Sequence, residues 1–217
     1  MSPLKGFFSS SVARKFWMAI TGFFLVTFLI VHLTINLFLF VGPELFNEAS
    51  HFMATNPLIQ IMQYVLAAGF LVHIVMGIKL TRQNAAARPV KYAYENASVS
   101  STWASRNMII TGLLVLVFLV LHLRDFFYEL KFTDHVSDDY VLVTSLFSIW
   151  YYAVFYVLAF IGLGIHLNHG FQSAFQSVGW KNSKWKGLLQ TLGTVYSAVI
   201  AIGFSAIAIY FFLNPVQ

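Results

Sequence analysis

The sequence has no cysteine. That absence excludes disulfides, Cys-ligated zinc, iron–sulfur ligation by this chain and covalent attachment of a c-type haem. Charge is nearly as scarce. Asp, Glu, Lys and Arg make up 10% of the 217 residues, against about 25% in an ordinary soluble domain. Proline occurs only five times. Pro43, Pro57, Pro89 and Pro215 all fall outside the long apolar runs, where helix boundaries are expected. What fills the sequence is apolar: 59% hydrophobic residues, 23 of them Phe, with a mean hydropathy of +0.74. A globular core cannot hide that much apolar surface, so lipid is the expected solvent for most of the chain. The formal charge of +5 does not come from a patch on a soluble domain, and no nucleic-acid partner is expected. The basic residues lie between the apolar runs, where they report membrane orientation.

Five runs are long enough to cross a hydrocarbon core, which takes about 20 helical residues. They lie near 16–41, 58–80, 107–128, 142–170 and 188–213. Backbone groups in lipid must pair within their own segment, so the runs are predicted to be helices. The expected fold is all-α: an integral membrane bundle of five transmembrane helices forming one domain over 1–217. The first run is too long for a cleavable signal peptide, and no small-residue cleavage site follows it. Lys5, Arg14, Lys15, Lys79, Arg82, Arg88, Lys91, Arg106, Lys181, Lys184 and Lys186 fall on one side of the bundle, 11 of the 13 basic residues. The other side holds Glu44, Glu48, Asp125, Glu129, Asp134, Asp138 and Asp139, with only Arg124 and Lys131. The positive-inside rule then places the N-terminus in the cytoplasm and the C-terminus outside. The longest connection, from about Lys79 to Arg106, is too short for a separate catalytic domain. Soluble-phase chemistry is expected to belong to a partner.

Four of the seven histidines lie inside apolar runs: His32, His73, His122 and His166. An ionisable residue at membrane depth is a functional hypothesis by default, because its burial costs free energy without helping insertion. Residues 20–33 read ITGFFLVTFLIVHL and residues 110–123 read ITGLLVLVFLVLHL, identical at 7 of 14 positions at an offset of 90. The second and fourth runs share another pattern, Gly69-x-x-x-His73-x-x-x-Gly77 and Gly162-x-x-x-His166-x-x-x-Gly170. Positions four apart share a helix face, so each imidazole has a glycine one turn above and one below. Small residues of this kind allow close helix contact. Their double occurrence also predicts a flat, wide group such as a porphyrin against that face.

Depth pairs the histidines. His32 lies 16 residues beyond Phe16, about 24 Å along a helix axis, and His122 lies 16 residues beyond Arg106 on a helix running the same way. Both are expected towards the outer surface. His73 and His166, on helices running inward, are expected near the inner one. Two bis-histidine sites stacked across the bilayer would carry electrons through it. A zinc or copper site would want clustered ligands, and a proton pump would usually place Asp, Glu, Lys or Arg within the spans. Two b-type haems are the prediction.

These residues, with the entry motif Ser11-Val12-Ala13-Arg14-Lys15-Phe16-Trp17-Met18-Ala19, resemble the single-chain, five-helix di-haem cytochrome b anchor of succinate:quinone oxidoreductases and fumarate reductases. The likeness covers essentially the whole chain. The stretch from His166-Leu167-Asn168-His169-Gly170 to Gly179-Trp180 is similar to the family's fourth-histidine region, whose register selects His166 over His169. The resemblance implies a cytoplasmic flavoprotein and an iron–sulfur subunit docked on the basic inner face, in the cytoplasmic (inner) membrane of a bacterium. Electrons would pass between their clusters, two haem b groups and a membrane quinone, a low-potential one such as menaquinone. Succinate and fumarate would not bind this chain. Some members carry a glutamate two residues before the fourth histidine. Here that position is Gly164, and the corresponding transmembrane proton path is not expected.

Quinone chemistry moves protons, so a quinone site wants a carboxylate, His or hydroxyl within reach. Glu44, Glu48, His51, Asp125 and Glu129 are the candidates near the outer site, against the alternative that they are simply solvated. Arg124 could pair with an outer haem propionate or serve as an interfacial anchor. His169 could contact a propionate or quinone, or be a satisfied interfacial histidine. Lys79, Arg82 and Arg88 could meet the inner propionates or only orient the chain. Trp17, Trp103, Trp150 and Trp185 fit an aromatic belt, and Ser9, Ser10 and Ser11 are expected to cap or precede the first helix. The fifth run, without histidine, is expected to give packing support through Gly193 and Gly203. Two alternatives stay open: the cytochrome b subunit of a hydrogenase or formate dehydrogenase, told apart by its co-purifying partners, and a haem-free transporter or scaffold, told apart by the lack of a visible absorption band.

Overall fold

The first apolar run enters its helix at Ser10, whose hydroxyl accepts a hydrogen bond from the Ala13 amide at 3.1 Å and satisfies one of the orphan donors there. In the computed structural model, which describes residues 10–87, 106–133 and 138–216, helix α1 spans Ser11–Leu37 and ends in a 3-10 turn, Phe38–Phe40. Gly42 then turns the chain with φ 142°, a conformation side chains rarely adopt. Pro43 opens α2 (Pro43–Thr55). Pro57 opens α3 (Pro57–Ala86), where the side-chain oxygen Oδ1 of Asn56 accepts from the amides of Leu58 and Ile59. Helix α4 (Met108–His122) continues through a π-helical turn, Leu123–Tyr128, into α5 (Glu129–Phe132). The remaining helices are α6 (Asp139–Ser148), α7 (Trp150–Ser177) and α8 (Lys186–Leu213). Every regular element among the described residues is helical. Lys5, Ser9, Arg88, Pro89, Lys91, Trp103 and Asp134 lie outside the described residues.

Five helices are long and apolar enough to cross a membrane: Val12–Phe40, Pro57–Ala86, Met108–Phe132, Trp150–Ser177 and Lys186–Leu213. Four match the expected runs to within a few residues at their ends. The second runs on from 80 to Ala86 and the third from 128 to Phe132, because helical hydrogen bonding outlasts the apolar stretch that marks it in sequence. The fourth expectation, 142–170, needs correction. Residues 142–148 belong to α6, and the spanning helix begins at Trp150 and reaches Ser177. Ser145 and Ser148 donate back to carbonyls three residues earlier, and Ile149 adopts an extended conformation (φ −86°, ψ 118°). Hydroxyls of this kind offer the backbone an alternative to continued helix. Helix α6 instead buries Tyr140, Val143, Thr144 and Phe147, which share one face.

Contacts at the glycines fix the register of the neighbouring helices. On α1 and α3, Met18 lies against Gly77, Gly22 against His73 and Phe24 against Gly69, so the two helices run antiparallel. On α4 and α7 the same pattern recurs with Met108 against Gly170, Gly112 against His166 and Leu114 against Gly162. Met18, Gly22 and Phe24 are each 90 residues before their counterparts. The sequence duplication is thus a structural one, with α1–α3 and α4–α7 as its two halves. The core gathers on α7 and α8, around Tyr156, Phe160, Ile200, Phe204, Ile207 and Phe211, whereas α3 has no fully buried residue. Gly193 receives Phe171, and Gly203 receives Leu33, so α8 does pack closely at both glycines. We call the end where α1 begins the N-side and the end where α8 finishes the C-side.

Candidate functional site

Four helices bring four imidazoles together as two pairs. His32 of α1 faces His122 of α4 with ring centroids 5.8 Å apart and planes at 87°. His73 of α3 faces His166 of α7 at 6.4 Å and 71°. All four side chains are partly buried. The two pairs lie at different depths. Thr21 touches His73, and on the same helix it precedes His32 by 11 residues, about 16 Å of axial rise. That is roughly half of the ~30 Å hydrocarbon thickness. The His73–His166 pair lies towards the N-side and the His32–His122 pair towards the C-side.

On the N-side the rings have polar partners. The Thr21 hydroxyl lies 3.3 Å from His73 Nδ1 and donates to the carbonyl of Trp17 at 2.9 Å. The Thr111 hydroxyl lies 3.4 Å from His166 Nδ1 and donates to the carbonyl of Met108 at 3.0 Å. Both threonines are buried. On the C-side the surroundings are aromatic. His32 stacks on Phe28 at 5.2 Å and meets Phe204 at 5.5 Å. Phe118, Phe126 and Tyr156 surround His122, whose Nδ1 is buried with no hydrogen-bond partner.

Beside His122 the chain buries a carboxylate. Asp125 is 7% exposed, accepts the Tyr156 hydroxyl at 2.9 Å and pairs with Arg124 at 3.3 Å. Asp125 is therefore closed off by its own partners, not open to a quinone as the sequence alone allowed. Arg124 keeps its side chain 69% exposed while its guanidinium engages Asp125. Glu129 accepts the Thr133 hydroxyl at 3.1 Å. Among the acidic candidates, Glu48 borders an apolar recess of about 650 Å³ between α1, α2 and the start of α3, lined also by Val31, Ile35, Phe38 and Phe52. Glu44 and His51 are exposed elsewhere on α2. His169 is partly buried one turn after His166, and Lys79 and Arg82 are exposed.

The glycines beside His73 and His166 make the close helix contacts that small residues allow. Each receives a side chain of the neighbouring helix: Phe24 and Met18 at Gly69 and Gly77, Leu114 and Met108 at Gly162 and Gly170. The imidazole between each pair of glycines lies against a glycine of the other helix, Gly22 for His73 and Gly112 for His166. Gly164 packs against Ala201 and the Ser197 carbonyl of α8, which leaves no room for a longer side chain.

Among the described residues no three His, Cys, Asp or Glu side chains converge. Neither pair could hold a metal through protein ligands alone, since such sites usually take three or four. Two imidazoles on opposite sides of one metal, each bonded at about 2.0 Å, place their ring centroids about 6 Å apart. Both observed separations suit that arrangement. Each pair could give two histidine ligands to a metal whose other ligands come from a cofactor, His32 with His122 and His73 with His166. Thr21, Thr111 and Tyr156 were the parts of the site not singled out in sequence. The Thr-Gly identity at an offset of 90 carried the signal for the first two. Compared with models of protein families, with curated proteins and with solved structures, the chain finds no match.

Proposed function

We propose that the chain is the haem b-containing membrane anchor of a succinate:quinone oxidoreductase, either a succinate dehydrogenase or a fumarate reductase. The single observation that supports this most is the pair of facing histidine couples at two depths, contributed by four different helices. In this reading His32 and His122 hold one haem and His73 and His166 the other. Haem b when bound supplies one-electron chemistry at iron, with a potential set by its axial ligands and surroundings. The protein's part is to fix the imidazoles, keep water from the rings and shape the approach of quinone.

The N-side carries most of the basic residues, so it is the cytoplasmic face in this proposal and the place where an iron–sulfur subunit and its flavoprotein would dock. A membrane quinone, with menaquinone favoured by two haems in series, would enter the recess beside Glu48. That cavity adjoins Val31, the residue before His32, and its carboxylate could take or release the quinone's protons. The membrane would be the cytoplasmic membrane of a bacterium.

The test is a reduced-minus-oxidised optical spectrum of the purified complex with haem quantified per chain. Two b haems per chain are expected. One would leave a histidine pair misassigned, and none would overturn the electron-transfer reading. Co-purifying flavin and iron–sulfur subunits test the partner assignment separately.

A further inference from the structure

We infer that Thr21 and Thr111 are positioning residues for the His73–His166 pair. Each fixes the tautomer and orientation of the histidine opposite, so that the imidazole turns its bare Nε2 towards a bound metal. The inference rests on the two-haem reading above.

The argument starts from the hydroxyl proton. The proton of Thr21 is committed to the carbonyls of Trp17 and Met18, at 2.9 and 3.2 Å, and that of Thr111 to the carbonyl of Met108 at 3.0 Å. Each oxygen keeps lone pairs and can still accept. With the hydroxyl protons on those carbonyls, His73 Nδ1 and His166 Nδ1, at 3.3 and 3.4 Å, are the donors in the arrangement we infer. A neutral imidazole carries one N–H, so its other nitrogen is left as an acceptor and a ligand. Ligand histidines are commonly fixed in this way by a group beyond the metal.

The backbone beside each threonine matches the role. A Cβ built on Gly22 would lie 3.7 Å from His73 Cε1, and one on Gly112 would lie 3.5 Å from His166 Cε1. Each ring rests close to a glycine, with the adjacent threonine at its nitrogen. The arrangement occurs twice, on residues 90 apart. Thr27, on the lipid-exposed side of α1, makes the same back-bond, to Phe23 at 3.0 Å, with no histidine bound to it. Back-bonding alone therefore does not bring an imidazole to a threonine. An accepted Nδ1 proton also makes the imidazole a stronger electron donor, which favours oxidised iron and lowers the potential of that haem.

The experiment uses the complex purified with its partners and compares Thr21→Val, Thr111→Val, Thr21→Ser and Thr111→Ser, with Thr27→Val as the control. Haem affinity of each site and the midpoint potential of each haem are measured. Valine is expected to weaken the N-side haem about 10–100-fold and raise its midpoint. Serine should restore both, and the control and the C-side haem should stay at parent values. Valine variants that match the parent overturn the assignment, as do serine variants as impaired as valine, because shape and not the hydroxyl would then be at work. If a valine variant does not accumulate, Thr21→Ala and Thr111→Ala make the same test without a branched side chain. A parent complex without haem would overturn the two-haem reading itself. A parent with two haems and unresponsive variants would overturn only the role of the threonines.

Discussion

The two histidine pairs use the same kind of ring and differ in what surrounds it. On the N-side each imidazole nitrogen meets a buried threonine hydroxyl. On the C-side the rings lie among Phe28, Phe118, Phe126, Phe204 and Tyr156, and the Tyr156 hydroxyl is itself bound to the buried Asp125. One duplicated segment produces both settings, because its Thr-Gly and its Phe-x-x-x-His sit at opposite ends of the same helix. Identical axial ligands would therefore not give identical sites. Any difference between the two potentials would come from hydrogen bonds, burial and nearby charge.

The sharpest way to break the comparison is to remove a ligand. Replacing His32 or His122 by Ala is expected to take away the C-side haem only, and replacing His73 or His166 the N-side haem only. Haem per chain should fall from two to one in each case. A double replacement within a pair should fall no further, whereas one across pairs should leave none.

The next largest effect concerns the C-side acid. Tyr156→Phe leaves Asp125 without its hydroxyl donor inside the protein, and stability should drop by about 1–3 kcal/mol. Thermal unfolding in detergent measures the loss. The optical signature of the C-side haem should change while that of the N-side stays as it was.

Glycine substitutions sharpen the contrast further. A Cβ at Gly203 would meet both δ-carbons of Leu33 at 2.9 Å, and Leu33 is buried beside His32. Gly203→Ala should cost about 1–3 kcal/mol as overpacking. Gly112→Ala, whose Cβ would sit at an ordinary 3.5 Å from His166 Cε1, should leave stability and the N-side spectrum nearly unchanged.

The smallest effect lies at the C-side cap formed by α2 and α6. Asp138 accepts the Val141 amide at 3.0 Å and the Asn47 side chain at 3.0 Å. The Val141 N–H chiefly, then Asn47, hold its carboxyl below the ordinary value of 3.8. A carboxyl lowered in the folded state contributes fully above its unfolded value and loses that contribution as pH falls through the lowered one. Asp138→Ala should cost about 1 kcal/mol near neutral pH. In a pH series of unfolding midpoints, the gap from the parent should narrow below pH 3.8.

The five spans were legible because apolar length is a property of the chain itself, and four histidines in such runs stand out one by one. What was not legible depends on neighbours. The break at Ile149 lies inside a continuous apolar stretch, where Ile149 turns extended and the hydroxyls of Ser145 and Ser148 bond back to the carbonyls of Leu142 and Ser145. Asp125 follows His122 in a segment rich in charge and reads as solvated, yet Tyr156, 31 residues on, buries it. The glycines around His73 and His166 were visible as a pattern. Their partners were not, since register between helices decides whether a small residue faces a flat ligand or another side chain.

Helix α3 has no fully buried residue, and yet it supplies one member of a pair. Each half of the duplication gives one histidine to each site: His32 and His73 from the first, His122 and His166 from the second. Neither half can bind haem in this way alone. Each haem of the proposed pair would thus work as a rivet between the two halves, and its binding free energy would add to the cohesion that α1 already has with α7 and α8 through contacts such as Phe23 with Phe175 and Leu33 with Gly203. If haem binds as proposed, its removal should loosen α3 first, since that helix has no fully buried residue, so the colour would report not only on electrons but on how firmly that helix is held.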